Sequence, residues 1–244
     1  MKTIVAAACA LLLSAAAFGQ EIPPGFSTYY IGFMTRGDGA VPAGTTAEEI
    51  QKGHLAHLTR LFDEGLLLGA GPIADDGELR GLVILRDAPR DDLDRRLAED
   101  PAVRAGRLKV TLKRWMGPAD IGAAYRKRHA AKTGTPDKMK RYQIALFKPG
   151  TAAASMPPAE VERIHKAHLS NMGDLARNGA LIAAGPFLEP GDVAGIYVFA
   201  VGADEAAALT ASDPAVKAGR YTVEPHPWLV AEGVLPVSFK PPAP

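Results

Sequence analysis

The chain writes one segment twice. Residues 54–72 (HLAHLTRLFDEGLLLGAGP) and 168–186 (HLSNMGDLARNGALIAAGP) align without a gap at an offset of 114, with eight of nineteen positions identical. A second echo follows each copy, DPAVRAGR at 100–107 and DPAVKAGR at 213–220, differing only at Arg104 and Lys217. Two units, each of about a hundred residues, therefore follow one plan, and any fold for this chain must be built twice from the same run of elements. What both copies keep is the first place to look for function.

The elements can be read from periodicity and breakers. Ser27 to Thr35 (STYYIGFMT) is rich in aromatic and β-branched residues and predicts a strand. Thr46, ahead of Glu48 and Glu49, is the expected N-cap of a helix reaching about Glu64, with Ile50, Leu55, Leu58, Leu61 and Phe62 as its apolar stripe. Gly65 is its expected left-handed stop. Leu66 to Ala70 reads as a buried strand closed by a Gly71-Pro72 turn, and Arg80 to Leu85 as the next strand. Arg90 to Ala98 follows as a second helix, then Leu108 to Trp115 as a strand with one wet face. The order β-α-β-β-α-β is the ferredoxin-like plan, and the fold class is α+β. The second unit repeats it, with strands at 142–147, 181–184, 194–201 and from Tyr221, and helices over 158–178 and 203–210.

This divides the chain into a leader (1–19), a first unit (27–116), a basic linker (117–140), a second unit (141–232) and a Pro-rich tail (233–244). The leader has Lys2 as its positive end, an apolar run from Ile4 to Phe18, and small residues at Ala17 and Gly19 for cleavage. The run is shorter than the roughly 20 residues a spanning helix needs, so a cleaved signal peptide and a periplasmic or secreted protein are expected. Cys9 is the sole cysteine and falls in that leader, so the mature chain would have no disulfide, thiol nucleophile or thiolate metal ligand. The linker holds six Lys or Arg and reads as a solvated connection with a short helix; the tail is expected to drape or fray. A net charge of +1 gives no reason to expect nucleic acid or an anionic membrane as partner.

Four retained residues can carry chemistry. His54 and His168 sit at matched places in the two first helices, each eleven residues before the stopping glycine. Imidazole can take or give a proton near neutrality, though a lone helix histidine also serves as a hydrogen-bonded structural group. Asp100 and Asp213 open the second echo, where Asp followed by Pro starts a helical turn; an Asp there can cap the turn and still orient a nearby imidazole. The Gly71-Pro72 and Gly185-Pro186 pairs could also line the same cavity. His57 and His165 complete H-x-x-H spacings with His54 and His168, but His57 aligns with Asn171 and His165 with Gln51, so no metal is expected. His129 and His226 have no counterparts and look incidental. No P-loop, G-x-S-x-G or helix-opening G-x-G-x-x-G is present, so no nucleotide cofactor is expected.

Together these residues carry a resemblance. His54-Leu55 leading to Gly65, Leu67 and Ala70-Gly71-Pro72, then Asp100-Pro101 with Val103 and Ala105-Gly106, resembles the YCII-related (YciI-like) domain family, and the second unit carries the same pattern. The resemblance implies a dimeric α+β barrel in which two ferredoxin-like units join their sheets with helices outside, here within one chain. It also implies a site built from the retained His and Asp, which fall on His54, Asp100, His168 and Asp213. The expected function is cofactor-independent proton transfer, of lyase or isomerase type, on a small organic molecule. The alternative is a non-catalytic periplasmic small-molecule-binding or accessory protein; haem binding by a helix histidine is a third reading. Self-association is left open.

Overall fold

The computed structural model describes residues 22–131 and 137–242. The leader expected over 1–19, with Cys9, lies outside the described residues. In the first unit the order is β1 (Phe26–Arg36), α1 (Ala47–Asp63), β2 (Leu67–Pro72), β3 (Leu79–Arg86), α2 (Arg90–Ala98), α3 (Pro101–Arg104) and β4 (Leu108–Pro118). After α4 (Ala123–Ala130) the second unit gives β5 (Met139–Pro149), α5 (Pro158–Arg177), β6 (Leu181–Pro186), β7 (Gly195–Phe199), α6 (Ala203–Ser212), α7 (Pro214–Lys217) and β8 (Tyr221–Ala231).

Local chemistry explains the boundaries. Thr46 Oγ1 accepts from the Glu49 N–H at 3.1 Å while Glu49 Oε2 accepts from the Thr46 N–H at 2.8 Å, a reciprocal cap that starts α1. Gly65 (φ +79°) and Gly179 (φ +80°) turn the chain out of α1 and α5 in the left-handed region open to glycine. Each unit forms a four-stranded antiparallel sheet, ordered β2-β3-β1-β4 and β6-β7-β5-β8.

The central strands are buried on both faces, which is why they read as nearly unbroken apolar runs. Tyr29, Ile31 and Phe33 join Tyr142, Ile144 and Leu146 in one core shared by the two sheets. Tyr30 and Met34 point the other way, into a layer with Leu61 and Phe62 of α1. Ala145 and Phe147 do the same toward Met172 and Leu175 of α5. The shared core is a barrel interior, closed where β2 meets β8 and β4 meets β6.

Both seams are stitched in the same way. The indole of Trp115 donates to Gly185 O and that of Trp228 to Gly71 O, each at 3.1 Å. The Ala74 N–H reaches Pro227 O and the Leu188 N–H reaches Arg114 O, both at 2.8 Å. A Cβ at Gly71 would lie 1.7 Å from Leu229 O, and one at Gly185 would lie 1.8 Å from Met116 O. The Gly-Pro pairs, expected as turns, instead finish β2 and β6 and let the two units' backbones touch.

Two further expectations are sharpened and one changes. The stretch 117–140 contains the ends of β4 and β5 around α4, and Arg126 of α4 donates to Phe62 O and Leu67 O at 3.1 and 3.0 Å. The expected short helix is there with no buried residue, and Arg126 pins it over the end of α1. The tail drapes rather than frays through Phe239, with Val234, Leu235 and Phe239 all buried. His226 is not incidental: it is buried, and its ring bridges Asp75 Oδ2 of the first unit at 2.8 Å and Glu224 Oε1 at 3.0 Å. Among the described residues no helix is long and apolar enough to cross a membrane.

Candidate functional site

Each retained pair is made by one long helix and the short turn beside it. Asp100 is the N-cap of α3: its Oδ1 accepts from the Ala102 N–H at 2.8 Å, and its Oδ2 meets His54 Nδ1 at 2.6 Å. The two roles weighed for this residue are both filled, one by each oxygen. Gly53 lets α1 come this near, since a Cβ there would meet the Pro101 ring at 2.9 Å. The second copy repeats the arrangement. Asp213 Oδ1 accepts from the Ala215 N–H at 2.8 Å, and His168 Nδ1 lies 2.9 Å from both carboxylate oxygens.

Both carboxylates are fully buried, while the imidazoles keep 12% and 14% of their side-chain surface exposed. Burial pushes the Asp100 carboxyl up, but the His54 hydrogen bond and charge, with the Ala102 N–H, outweigh it and hold the group below its ordinary value. An ionised Asp100 accepts only, so His54 Nδ1 carries the proton of their hydrogen bond and Nε2 is the nitrogen left free of the carboxylate.

The surroundings of the two pairs differ. His54 lines a cavity of about 780 Å³ between α1 and the first sheet, walled by Met34, Val83 and Leu108 among others. Strand register places Phe147, Tyr197 and Tyr221 at the matching positions of the second unit. Those three rings pack against His168, with centroids at 5.7, 5.5 and 6.2 Å, and Tyr197 stacks on it at an interplanar angle of 17°. The Tyr197 hydroxyl stands 3.2 Å from His168 Nε2. Burial, and then the Asp213 charge, push that phenol well above its ordinary value, so it stays protonated. The first pair opens on a cavity; the second has three rings of its own unit packed around an imidazole that is as exposed as His54.

Other polar groups stand beside the pairs. Asn171 donates to Asp213 Oδ2 at 3.1 Å. Its counterpart His57 is buried, takes an Arg60 N–H at 2.9 Å on Nδ1 and among the described residues leaves Nε2 without a partner; burial lowers its pKa. His165 stacks near His168 at 6.5 Å and is also lowered by burial. Among the described residues no three His, Cys, Asp or Glu side chains converge as metal ligands. Sequence reasoning missed Tyr197, Phe147 and Tyr221, and missed Arg36, Arg80 and Arg107, which also line the cavity. For all of them but Arg107, which the second copy keeps as Arg220, the signal was present in the positions where the copies disagree.

Known proteins bear on the fold more than on the chemistry. The model of the YCII-related domain family matches residues 142–225, which lie in the second unit. No curated protein matches the sequence. Among solved structures, a mutant chlorite dismutase from Candidatus Nitrospira defluvii in complex with cyanide superposes with a TM-score of 0.53 at 10% identity, covering 86% of this chain and 92% of that one. A second mutant of the same enzyme gives 0.53 at 11% identity, with the same coverage of each chain. A haem-binding protein from Thermus thermophilus gives 0.46 at 16% identity, covering 86% and 93%. With two antiparallel four-stranded sheets closed along both seams, the chain is an intramolecular dimeric α+β barrel of two ferredoxin-like units.

Proposed function

We propose that this protein is an exported catalyst of proton transfer on a small organic molecule, working from His54 and Asp100 without a cofactor. The observation that carries the reading is the His54–Asp100 pair, 2.6 Å apart, on the wall of a cavity large enough for such a molecule. Nδ1 is committed to the carboxylate, so Nε2 is the nitrogen left to face a ligand. It takes a proton from a carbon beside a carbonyl; the C–H bond breaks, an N–H bond forms, and the electron pair moves into the carbonyl as an enolate. Asp100 holds the ring in this tautomer and stabilises the imidazolium. The same proton returns to another carbon in an isomerisation, or a leaving group departs in an elimination. Export rests on the pattern of residues 1–19.

His168 and Asp213 keep the same pair, and with the rings moved aside they would support the same chemistry. That this pair persists beneath Tyr197 favours the second reading, in which the dyad fastens α1 to α3 and the cavity only binds. Proton exchange separates the two. In D2O, candidate keto acids and unsaturated lactones incubated with the mature chain should lose specific C–H signals from their proton spectra, and H54Q should abolish that loss. Ligand binding with no exchange in any compound would leave the binding reading. A Soret band in the purified chain would instead support the haem reading.

A further inference from the structure

We infer that the His54 cavity takes a small organic acid, an apolar body carrying a carboxylate, and that Arg36, Arg80 and Arg107 recognise its charge. This rests on the reading of that cavity as the working site. Arg36, Arg80 and Arg107 line the same cavity as His54, and among the described residues no Asp or Glu lines it with them. Arg80 is pinned through one terminal nitrogen, which donates to Asp75 O at 3.1 Å and Gly77 O at 3.2 Å, leaving the rest of its fork to a ligand. The carboxylate facing Arg36 is Glu78, at 3.8 Å and with both side chains largely exposed, a weak pairing in water.

The second copy supplies the comparison. Register and matching backbone hydrogen bonds align Arg36 with Pro149, and Arg80 with Ala194. Arg107 aligns with Arg220, whose guanidinium lies 5.4 Å above the Tyr221 ring, on the aromatic plug. Two of the three cations are thus present only in the copy that has the cavity. Leu55, 53% exposed, and Met139, 48% exposed, line the same space and offer an apolar surface beside the charge. A guanidinium fork and an apolar wall together select an amphipathic acid over a bare anion or a neutral molecule.

Calorimetry on the mature full chain with trans-cinnamate and its uncharged amide tests this. Cinnamate should bind at least about tenfold more tightly than the amide, the scale of a charge-assisted hydrogen bond. R107Q, at an exposed position, should remove most of that preference and leave the amide's affinity unchanged; R80Q should do the same, with a thermal melt checking its fold. Equal affinity for acid and amide, an equal loss of both in R107Q, or no binding of either would overturn the inference. So would inorganic phosphate binding as tightly as cinnamate, since the apolar body would then count for nothing. H54Q separates this inference from the functional reading. Acid preference kept with proton exchange unaffected would sink the proton-transfer role alone; acid preference absent with exchange abolished would sink the arginine assignment alone.

Discussion

Asp100 divides its oxygens between the Ala102 amide and the His54 ring, with no surface left to water. Its pKa is held below the ordinary carboxylate value in the folded chain. The stability this confers is fully present above the unfolded pKa, about 4, and is lost as pH falls through the folded value. D100N should therefore cost about 1–3 kcal/mol at pH 7, the range for a buried hydrogen bond to a charge. Urea midpoints measured from pH 7 to pH 2.5 should fall less steeply in D100N than in the wild type. Parallel curves would mean that Asp100 is not ionised in the fold. The retained His and Asp were legible in the sequence because two copies kept them through wide divergence. Their contact was expected only through the family resemblance, since 46 residues separate them and no periodicity reports a distance across α1 and α3.

At the scale of elements, the doubled plan gave strand and helix order correctly, because hydrophobic periodicity and capping residues act locally. Seams are set by what comes to lie opposite, so Gly71-Pro72 looked like a turn when the space it needed belonged to Leu229 of the other unit. Gly71→Ala should destabilise the chain by about 3 kcal/mol, as overpacking against fixed backbone does. Gly173→Ala, inside α5 and facing only the end of Arg177, should stabilise it by about 0.5–1 kcal/mol by removing a helix glycine. Thermal or urea unfolding of the two variants checks the contrast, and similar effects from both would contradict the seam. His226 makes the same point. It has no equivalent histidine because the matched position is Lys113, which pairs across the other seam with Asp192 at 2.7 Å. Two different residues clamp equivalent joints, which a search for identities passes over.

On the scale of the whole molecule, one chain has closed a barrel from two similar units and let their outer faces diverge. Val83 against Tyr197, Met34 against Phe147 and Leu108 against Tyr221 separate a His that lines a cavity from one packed among rings. V83Y should therefore plug the first cavity and remove ligand binding while the barrel stays folded. Y197V should cost about 2–4 kcal/mol, as removal of a buried ring does, and expose His168. A chain with two equivalent sites would show neither effect. The most direct measurement is carbon-edited NMR of the histidine Cε1–H groups during titration with cinnamate. His54 should shift to saturation while His168, stacked on Tyr197, stays in place. Equal shifts in both rings, or none in His54, would contradict it.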